Sequence, residues 1–195
     1  KQFQDQHDVK KDIELLSSQV ERCNEILKRL TLNPVEEDEF IDKDLSMKDY
    51  LSEIISSFKE ISQKKFIFNY DQFSNQKKIT KSIEIVYGLR NFIGNANKFS
   101  NETIHVTIKS DSEITEITIE DDGNGYPKDV LSKIGEPYLK TKDPIDKSKA
   151  GLGLGLFIGK TLLEKNFASI NCRNSKTRGG AEVIIKWNNK DLFNI

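Results

Sequence analysis

The amino-acid sequence predicts an α+β fold: a mixed sheet with helices packed on one face, preceded by a coiled-coil-like helix. Three observations carry this expectation. Thr103–Lys109 and Ile114–Glu120 alternate apolar and polar residues with period two and are rich in β-branched side chains, so each reads as a strand with one buried face. Segments with helical periodicity lie on both sides of that pair. Near the start, Ile13, Leu16, Val20, Cys23, Leu27 and Leu30 are spaced 3, 4, 3, 4, 3, a narrow a/d seam that requires a partner helix.

Taken in order, the seam helix ends at Asn33-Pro34, because a residue before proline is disfavoured in the α region. The acidic run Glu36-Glu37-Asp38-Glu39 reads as a solvated linker. The division expected is a seam helix at 1–32, a linker at 33–45 and a globular domain at 46–195. Ser46 can cap a helix running to about Phe58. Lys65–Tyr70 is a short strand, and Ile79–Phe99 a long helix. The polar turn Ser110–Glu113 makes the two alternating strands a hairpin. A helix over Pro127–Ile134 follows, then a glycine-rich stretch and a helix over Leu154–Lys165. Two last strands lie near Ala168–Asn174 and Ala181–Trp187. One sheet is expected.

Composition limits the function classes. Of 195 residues, 36% are apolar and 31% charged, which suits one folded core and not a disordered tail. A net charge of -1 gives no general footprint for nucleic acid or a membrane surface. No apolar run approaches the roughly 20 residues a membrane span needs. The chain opens on Lys1 without a signal-peptide pattern, so a fragment is expected. Its two cysteines, Cys23 and Cys172, have no metal-ligand spacing, and a reducing cytosol is the natural setting.

Four clusters carry candidate chemistry. In the helix ending at Ser100, Asn91, Asn95 and Lys98 fall at i, i+4 and i+7 and share one face. An amide oxygen there can ligate Mg²⁺ and a lysine can pair with phosphate; the plain alternative is a solvated polar face. Asp121-Asp122-Gly123-Asn124-Gly125 follows a strand. A carboxylate at a strand end can accept from an adenine amino group, although Asp-Gly and Asn-Gly also make ordinary turns. Gly151-Leu152-Gly153-Leu154-Gly155-Leu156 leads into a helix and can expose backbone N–H groups to an anion, or serve as a hinge. It lacks the spacing of a dinucleotide fingerprint or a P-loop. Gly135-Glu136-Pro137-Tyr138-Leu139-Lys140-Thr141-Lys142 opens a long polar segment of the kind that forms lids, or a solvated charge run.

In this order the clusters resemble the N, G1, F and G2 boxes of the histidine-kinase ATPase domain, whose superfamily (GHKL) includes DNA gyrase B, the Hsp90 chaperone and MutL. The resemblance spans residues 46–187 and implies a Bergerat-type α/β sandwich that binds ATP and Mg²⁺. It implies that Asn95 ligates the metal, with Asn91 and Lys98 on the phosphate side and Phe99 near adenine. It implies that Asp121 reads the adenine amino group above a floor shaped by Gly123 and Gly125. Tyr138, Lys140 and Thr141 would belong to the lid, and Gly151, Leu152, Gly153, Leu154, Gly155 and Leu156 would wrap the phosphates. The family's G1 box commonly has Asn where this chain has Asp122. The ATPase branches carry a glutamate base where this chain has Asn91, and an amide cannot act as a general base at neutral pH. Transfer to a protein side chain is therefore favoured over hydrolysis.

Ser18–Leu27, Gly135-Glu136-Pro137-Tyr138 and Gly180-Ala181-Glu182-Val183 with Trp187 look like the RegB/PrrB-type redox sensor kinases. That likeness implies that the first segment is the second helix of a dimerisation hairpin, and that the phosphorylated histidine lies before this chain. His7, beside Asp8, is a weak substitute because only one helix follows it, and His105 lies inside a strand. The likeness also makes Cys23 a redox-switch candidate, against the plain reading of a small apolar seam residue. Cys172 reads as core. The function expected is the ATP/Mg-binding core of a two-component sensor histidine kinase. It would work as a homodimer through its first helix, with a response regulator receiver domain as partner and no nucleic acid. Its setting would be cytoplasmic, tied to an inner membrane only through a missing sensor region. An anti-sigma-type serine kinase and a non-catalytic nucleotide-binding regulator of the same fold are the alternatives.

Overall fold

The computed structural model describes residues 45–71, 78–79, 82–137 and 154–193. The chain divides into two units, Lys1–Lys43 and Asp44–Ile195, and the described residues all belong to the second. The seam helix with Cys23, His7 and the acidic linker lies outside the described residues, as do Tyr138, Lys140, Thr141, Gly151, Leu152 and Gly153.

The elements are β1 (Leu45–Ser46), α1 (Met47–Ile61), β2 (Lys65–Tyr70), β3 (Lys78–Ile79), α2 (Ile83–Phe99), β4 (Thr103–Ser110), β5 (Ile114–Asp121), α3 (Lys128–Leu131), α4 (Gly155–Lys165), β6 (Ser169–Asn174), β7 (Ala181–Asn188) and α5 (Asn189–Leu192). Five strands form a sheet of order β2-β4-β5-β7-β6, and β1 and β3 form a separate two-stranded ribbon. Only the β2–β4 pair of the five-stranded sheet is parallel; the other pairs are antiparallel. The mixed α+β architecture agrees with the expectation.

α1 starts where Ser46 and Asp49 close a capping box: Ser46 Oγ accepts from the Asp49 N–H, and the Asp49 carboxylate accepts from the Ser46 N–H. Its buried residues Met47, Tyr50, Leu51, Ile54 and Ile55 follow helical spacing and make one apolar stripe. α2 begins four residues later than the sequence suggested. Ser82 caps it by accepting from the Ile85 N–H, while Ile79 pairs with Leu45 in the ribbon. An extended partner and a cap downstream outweigh the helical periodicity of the residues between. At the far end of α2, the Lys64 ammonium donates to the carbonyls of Asn97 and Ser100, which suits the negative end of a helix.

The β4–β5 hairpin forms as expected, and Asp111 Oδ1 accepts from the Glu113 and Ile114 N–H groups across its turn. α3 covers only Lys128–Leu131, shorter than the predicted Pro127–Ile134, and Gly135 at φ 95 ends the turns after it. α4 starts at Gly155, with Leu154 at the N-cap position.

Alternate strand residues point to two different environments. Ile104, Val106, Ile108, Ile117, Ile119, Val183, Ile185 and Trp187 are buried in one cluster with Leu51, Ile54, Leu89, Phe92, Ile93 and Leu163 from the helices. The opposite face is polar and carries Lys186–Glu116, Arg178–Glu120 and Arg173–Glu182 ion pairs. Burial of one face against helices is therefore the main source of cohesion.

α2 and α4 approach through glycine. A Cβ on Gly88 would lie 2.5 Å from Leu163 Cγ, and one on Gly159 would lie 3.0 Å from Phe92 Cε2 and 3.2 Å from the Gly88 carbonyl oxygen. Gly88→Val should overpack this crossing and lower stability by about 1–3 kcal/mol. Urea unfolding checks this; an unchanged midpoint would show that the helices have room to separate.

Candidate nucleotide site

The candidate residues lie on three elements whose ends meet. Asp121 is the last residue of β5 and is only 3% exposed. Its Oδ1 accepts from the Gly123 N–H at 2.9 Å and the Ala181 N–H at 3.1 Å. Oδ2 makes no hydrogen bond with the described residues. Two glycines permit this arrangement. A Cβ on Gly180 would lie 2.3 Å from Asp121 Oδ1, and one on Gly123 would lie 2.3 Å from the Phe99 carbonyl oxygen. The second contact also joins the loop after β5 to the end of α2. Burial pushes the Asp121 carboxyl above its ordinary value, against the two N–H bonds that favour its ionised form.

Asp122, the departure from the commoner asparagine, has a structural task. Its carboxylate accepts from the N–H groups of Asn101, Glu102 and Thr103, at 2.8, 3.1 and 2.9 Å, while Asn101 Nδ2 donates to its carbonyl. These backbone bonds hold its carboxyl below the ordinary value even though partial burial acts the other way. Asp122 thus fastens the start of β4 to the end of β5.

α2 presents Asn91, Asn95 and Lys98 at half-buried positions, beside the buried Phe92, Ile93 and Ala96. Asn91 Nδ2 donates to the Tyr87 carbonyl at 2.9 Å, and its Oδ1 stands 3.5 Å from where a Cβ of Gly155 would be. The helix face carrying Asn91 is thereby placed against the first turn of α4. Among the described residues no side chain caps that turn. The Asn95 carboxamide makes no hydrogen bond with the described residues. Phe99 is 45% exposed with the Lys98 ammonium 5.4 Å above its ring. Leu156 packs on the core.

The structure thus brings Asn91 and Gly155 together, and joins Phe99, Gly123 and Asp121. Gly125, at φ 70, is held by Asn174: Asn174 Oδ1 accepts from the Tyr126 N–H, and Nδ2 donates to the Tyr126 carbonyl. Asn174 and Tyr126 had no sequence signal, because the bridge joins residues 48 apart. Among the described residues no cluster of three or more His, Cys, Asp or Glu could form an all-protein metal cage. Cys172 is half-buried, and burial pushes its thiol up to about 11, so it stays protonated at neutral pH. His105 lies on the polar sheet face, its pKa lowered by burial and by Arg178. Among the described residues no helix is long and apolar enough to cross a membrane.

A family model described as "Histidine kinase-, DNA gyrase B-, and HSP90-like ATPase" matches residues 80–191. Sensor histidine kinase RegB of Cereibacter sphaeroides is 29% identical over 210 residues, covering 95% of this chain and 44% of its own length. Sensor histidine kinase CpxA of Escherichia coli is 30% identical over 97 residues, covering 50% of this chain and 21% of its own. The chain spans less than half the length of the curated relatives it matches. The catalytic domain of histidine kinase ThkA superposes with a TM-score of 0.61 at 21% identity, over 74% of this chain and 95% of that one, a likeness of fold.

Asp121→Asn should retain the fold, since its Oδ1 still accepts from Gly123 and Ala181. The folded carboxyl has a raised pKa, so its protonated form is the one favoured by folding. That stability is fully present below the unfolded value, about 3.9, and is lost as pH rises through the folded value. The Asn variant should therefore gain stability over the parent as pH rises across that window. Melting curves at several pH values check the sign; a gain on acidification would overturn it.

Proposed function

Because the chain belongs to the histidine kinase-, DNA gyrase B- and HSP90-like ATPase family, we propose that it is the ATP-binding catalytic part of a two-component sensor histidine kinase. The observation that supports this most is the buried Asp121 carboxylate, with one oxygen anchored to backbone and the other open. Such an oxygen accepts from an exocyclic amino group such as that of adenine, which uracil, thymine or a bare phosphate does not offer. Gly123 and Gly125 let the loop pack closely on Phe99 and Asn174, which shapes the floor on which a flat base would rest. At the other end, the first turn of α4 from Leu154, Gly155 and Leu156 takes phosphate oxygens on its N–H groups. Lys98 adds charge on the same side, and Phe99 covers the base.

Magnesium fits these residues. Mg²⁺ is held by one or two side-chain oxygens, nucleotide phosphates and water, so no all-protein cage is needed. Asn95 would supply that oxygen, since its amide makes no hydrogen bond with the described residues. When bound, the ion neutralises charge on the phosphates. The chain's own residues position and bind. Asn91 keeps its amide engaged with Tyr87 and offers no base for water, which favours transfer of the γ-phosphoryl group to a histidine over hydrolysis.

The same reading assigns residues 1–32 to the second helix of a dimerisation hairpin, 33–45 to a linker and 46–195 to the catalytic domain. Tyr138, Lys140 and Thr141 would close as a lid, and Gly151, Leu152 and Gly153 would complete the phosphate wrap. The acceptor histidine would lie on a preceding helix, a receiver domain would take the phosphoryl group onward, and a membrane sensor region would precede the whole. Cys23, on the dimer seam, would be a redox switch.

ATP with Mg²⁺ at a hundredfold excess over Kd should raise the melting temperature by about 5–10 °C. Asn95→Ala should remove most of the magnesium-dependent part of that shift, and a shift the variant leaves intact would sink the metal assignment. Asp121→Asn should weaken ATP at least about tenfold, as loss of a charged hydrogen bond does. Given ATP and a separate hairpin bearing the acceptor histidine, the chain should label that histidine; nucleotide binding without labelling would favour the regulator reading. In the full-length dimer, oxidant should change kinase output in the parent and leave Cys23→Ala unaffected.

A further inference from the structure

Tyr126 is buried, 8% exposed, directly after the glycine loop that follows β5. Its backbone is fastened on both sides. The N–H donates to Asn174 Oδ1 at 2.6 Å, and the carbonyl accepts from Asn174 Nδ2 at 3.0 Å. Gly125 makes this approach possible, since a Cβ there would lie 2.8 Å from Asn174 Oδ1. Strand register shows which end of the sheet is involved. Asn174 pairs with Ala181, and Ala181 donates its N–H to Asp121 Oδ1. Tyr126 is thus bolted to the row that carries Asp121.

The Tyr126 hydroxyl makes no hydrogen bond of ordinary geometry among the described residues. Its nearest polar neighbours are the Cys172 thiol, at the margin of hydrogen-bond reach, and the Asp121 carboxylate. A thiol is a weak partner. Buried hydroxyls are nearly always satisfied by protein, ordered water or ligand, so this one calls for a partner. Packing alone does not require it, because phenylalanine would fill the same ring volume. The neighbouring Asp121 Oδ2 is unpaired as well. Among the described residues, an acceptor without a donor and a buried donor without an ordinary acceptor therefore lie near one another at the end of β5.

We propose that the Tyr126 hydroxyl is a second base-reading group, donating to the unprotonated N1 of adenine, directly or through one water, while Asp121 accepts from the exocyclic amino group. Adenine presents an amino donor beside a ring-nitrogen acceptor, the complement of this pair. Guanine presents a carbonyl oxygen beside a ring N–H, which sets acceptor against carboxylate. Tyr126 is then a specificity-determining residue, acting on the base and not on the phosphates.

This inference rests on the ATP-site reading above. The experiment uses the whole chain, with Mg²⁺, and titrates ATP, ADP and 1-deaza-ATP into the parent and Tyr126→Phe by calorimetry. The variant should lose about 5–10-fold in affinity for ATP and for ADP alike, as removal of one hydrogen bond predicts. It should bind 1-deaza-ATP, which lacks the ring acceptor, as well as the parent does. Its melting temperature without nucleotide should be unchanged or higher, since an unsatisfied hydroxyl has gone. Equal ATP affinity in both proteins would overturn the proposal, as would an equal loss for ATP and 1-deaza-ATP, which points to ring packing. A lowered melting temperature without nucleotide would assign the hydroxyl to the fold instead. If the parent itself binds no ATP, the ATP-site reading fails and this inference with it; parental binding with an unaffected variant removes this inference alone.

Discussion

The Asp121 carboxylate is the point on which the candidate site depends. A carboxylate that is 3% exposed is costly unless its oxygens are bonded. Here one oxygen is held by two backbone N–H groups, from the loop after β5 and from the start of β7. Both can come close only because Gly123 and Gly180 carry no Cβ. The anchored oxygen fixes the loop's direction. The loop in turn sets Gly125, and Asn174 locks the next residue to β6. A single buried group therefore ties together β5, β7 and β6 at one end of the sheet, while the uneven treatment of its two oxygens leaves one for a ligand.

The helical layer solves the other half of the problem. The apolar sheet face determines where α2 and α4 lie, but only Gly88 and Gly159 allow them to cross as closely as they do. That closeness puts Asn91 beside Gly155, so residues 64 positions apart in sequence stand side by side. The polar sheet face, with its ion pairs, takes no part in this. Exposed pairs of that kind contribute little to stability, and they keep the uncovered face soluble.

Much of this was legible in the sequence. Period-two alternation located β4 and β5 because their two faces meet different media, and Ser46 announced α1 through its capping chemistry. The order of the glycine and asparagine clusters identified the family and its fold. What escaped was set by contacts distant in sequence. Ile79 looked helical but pairs with Leu45, and α3 stops early although its apolar residues continue. Asp122 looked like a flawed copy of an asparagine, yet its carboxylate gathers three N–H groups that only the folded β4–β5 end brings together. Tyr126 gave no signal, since an aromatic after a turn reads as plain core until its hydroxyl is found without a partner.

The two ends of the site also differ in how they are prepared. At the end proposed for the base, Asp121 and Gly123 are joined by a backbone hydrogen bond and Tyr126 is held by the Asn174 side chain, so little conformational freedom would remain to be lost on binding. Fixed donors and acceptors discriminate well, because a base with the wrong pattern leaves buried polar groups unpaired. At the end proposed for the phosphates, the Asn95 amide makes no hydrogen bond with the described residues, and among them no side chain caps the first turn of α4. On the proposed assignment, such a site would read its base strictly and leave its phosphate contacts open to the changes of charge and position that phosphoryl transfer requires.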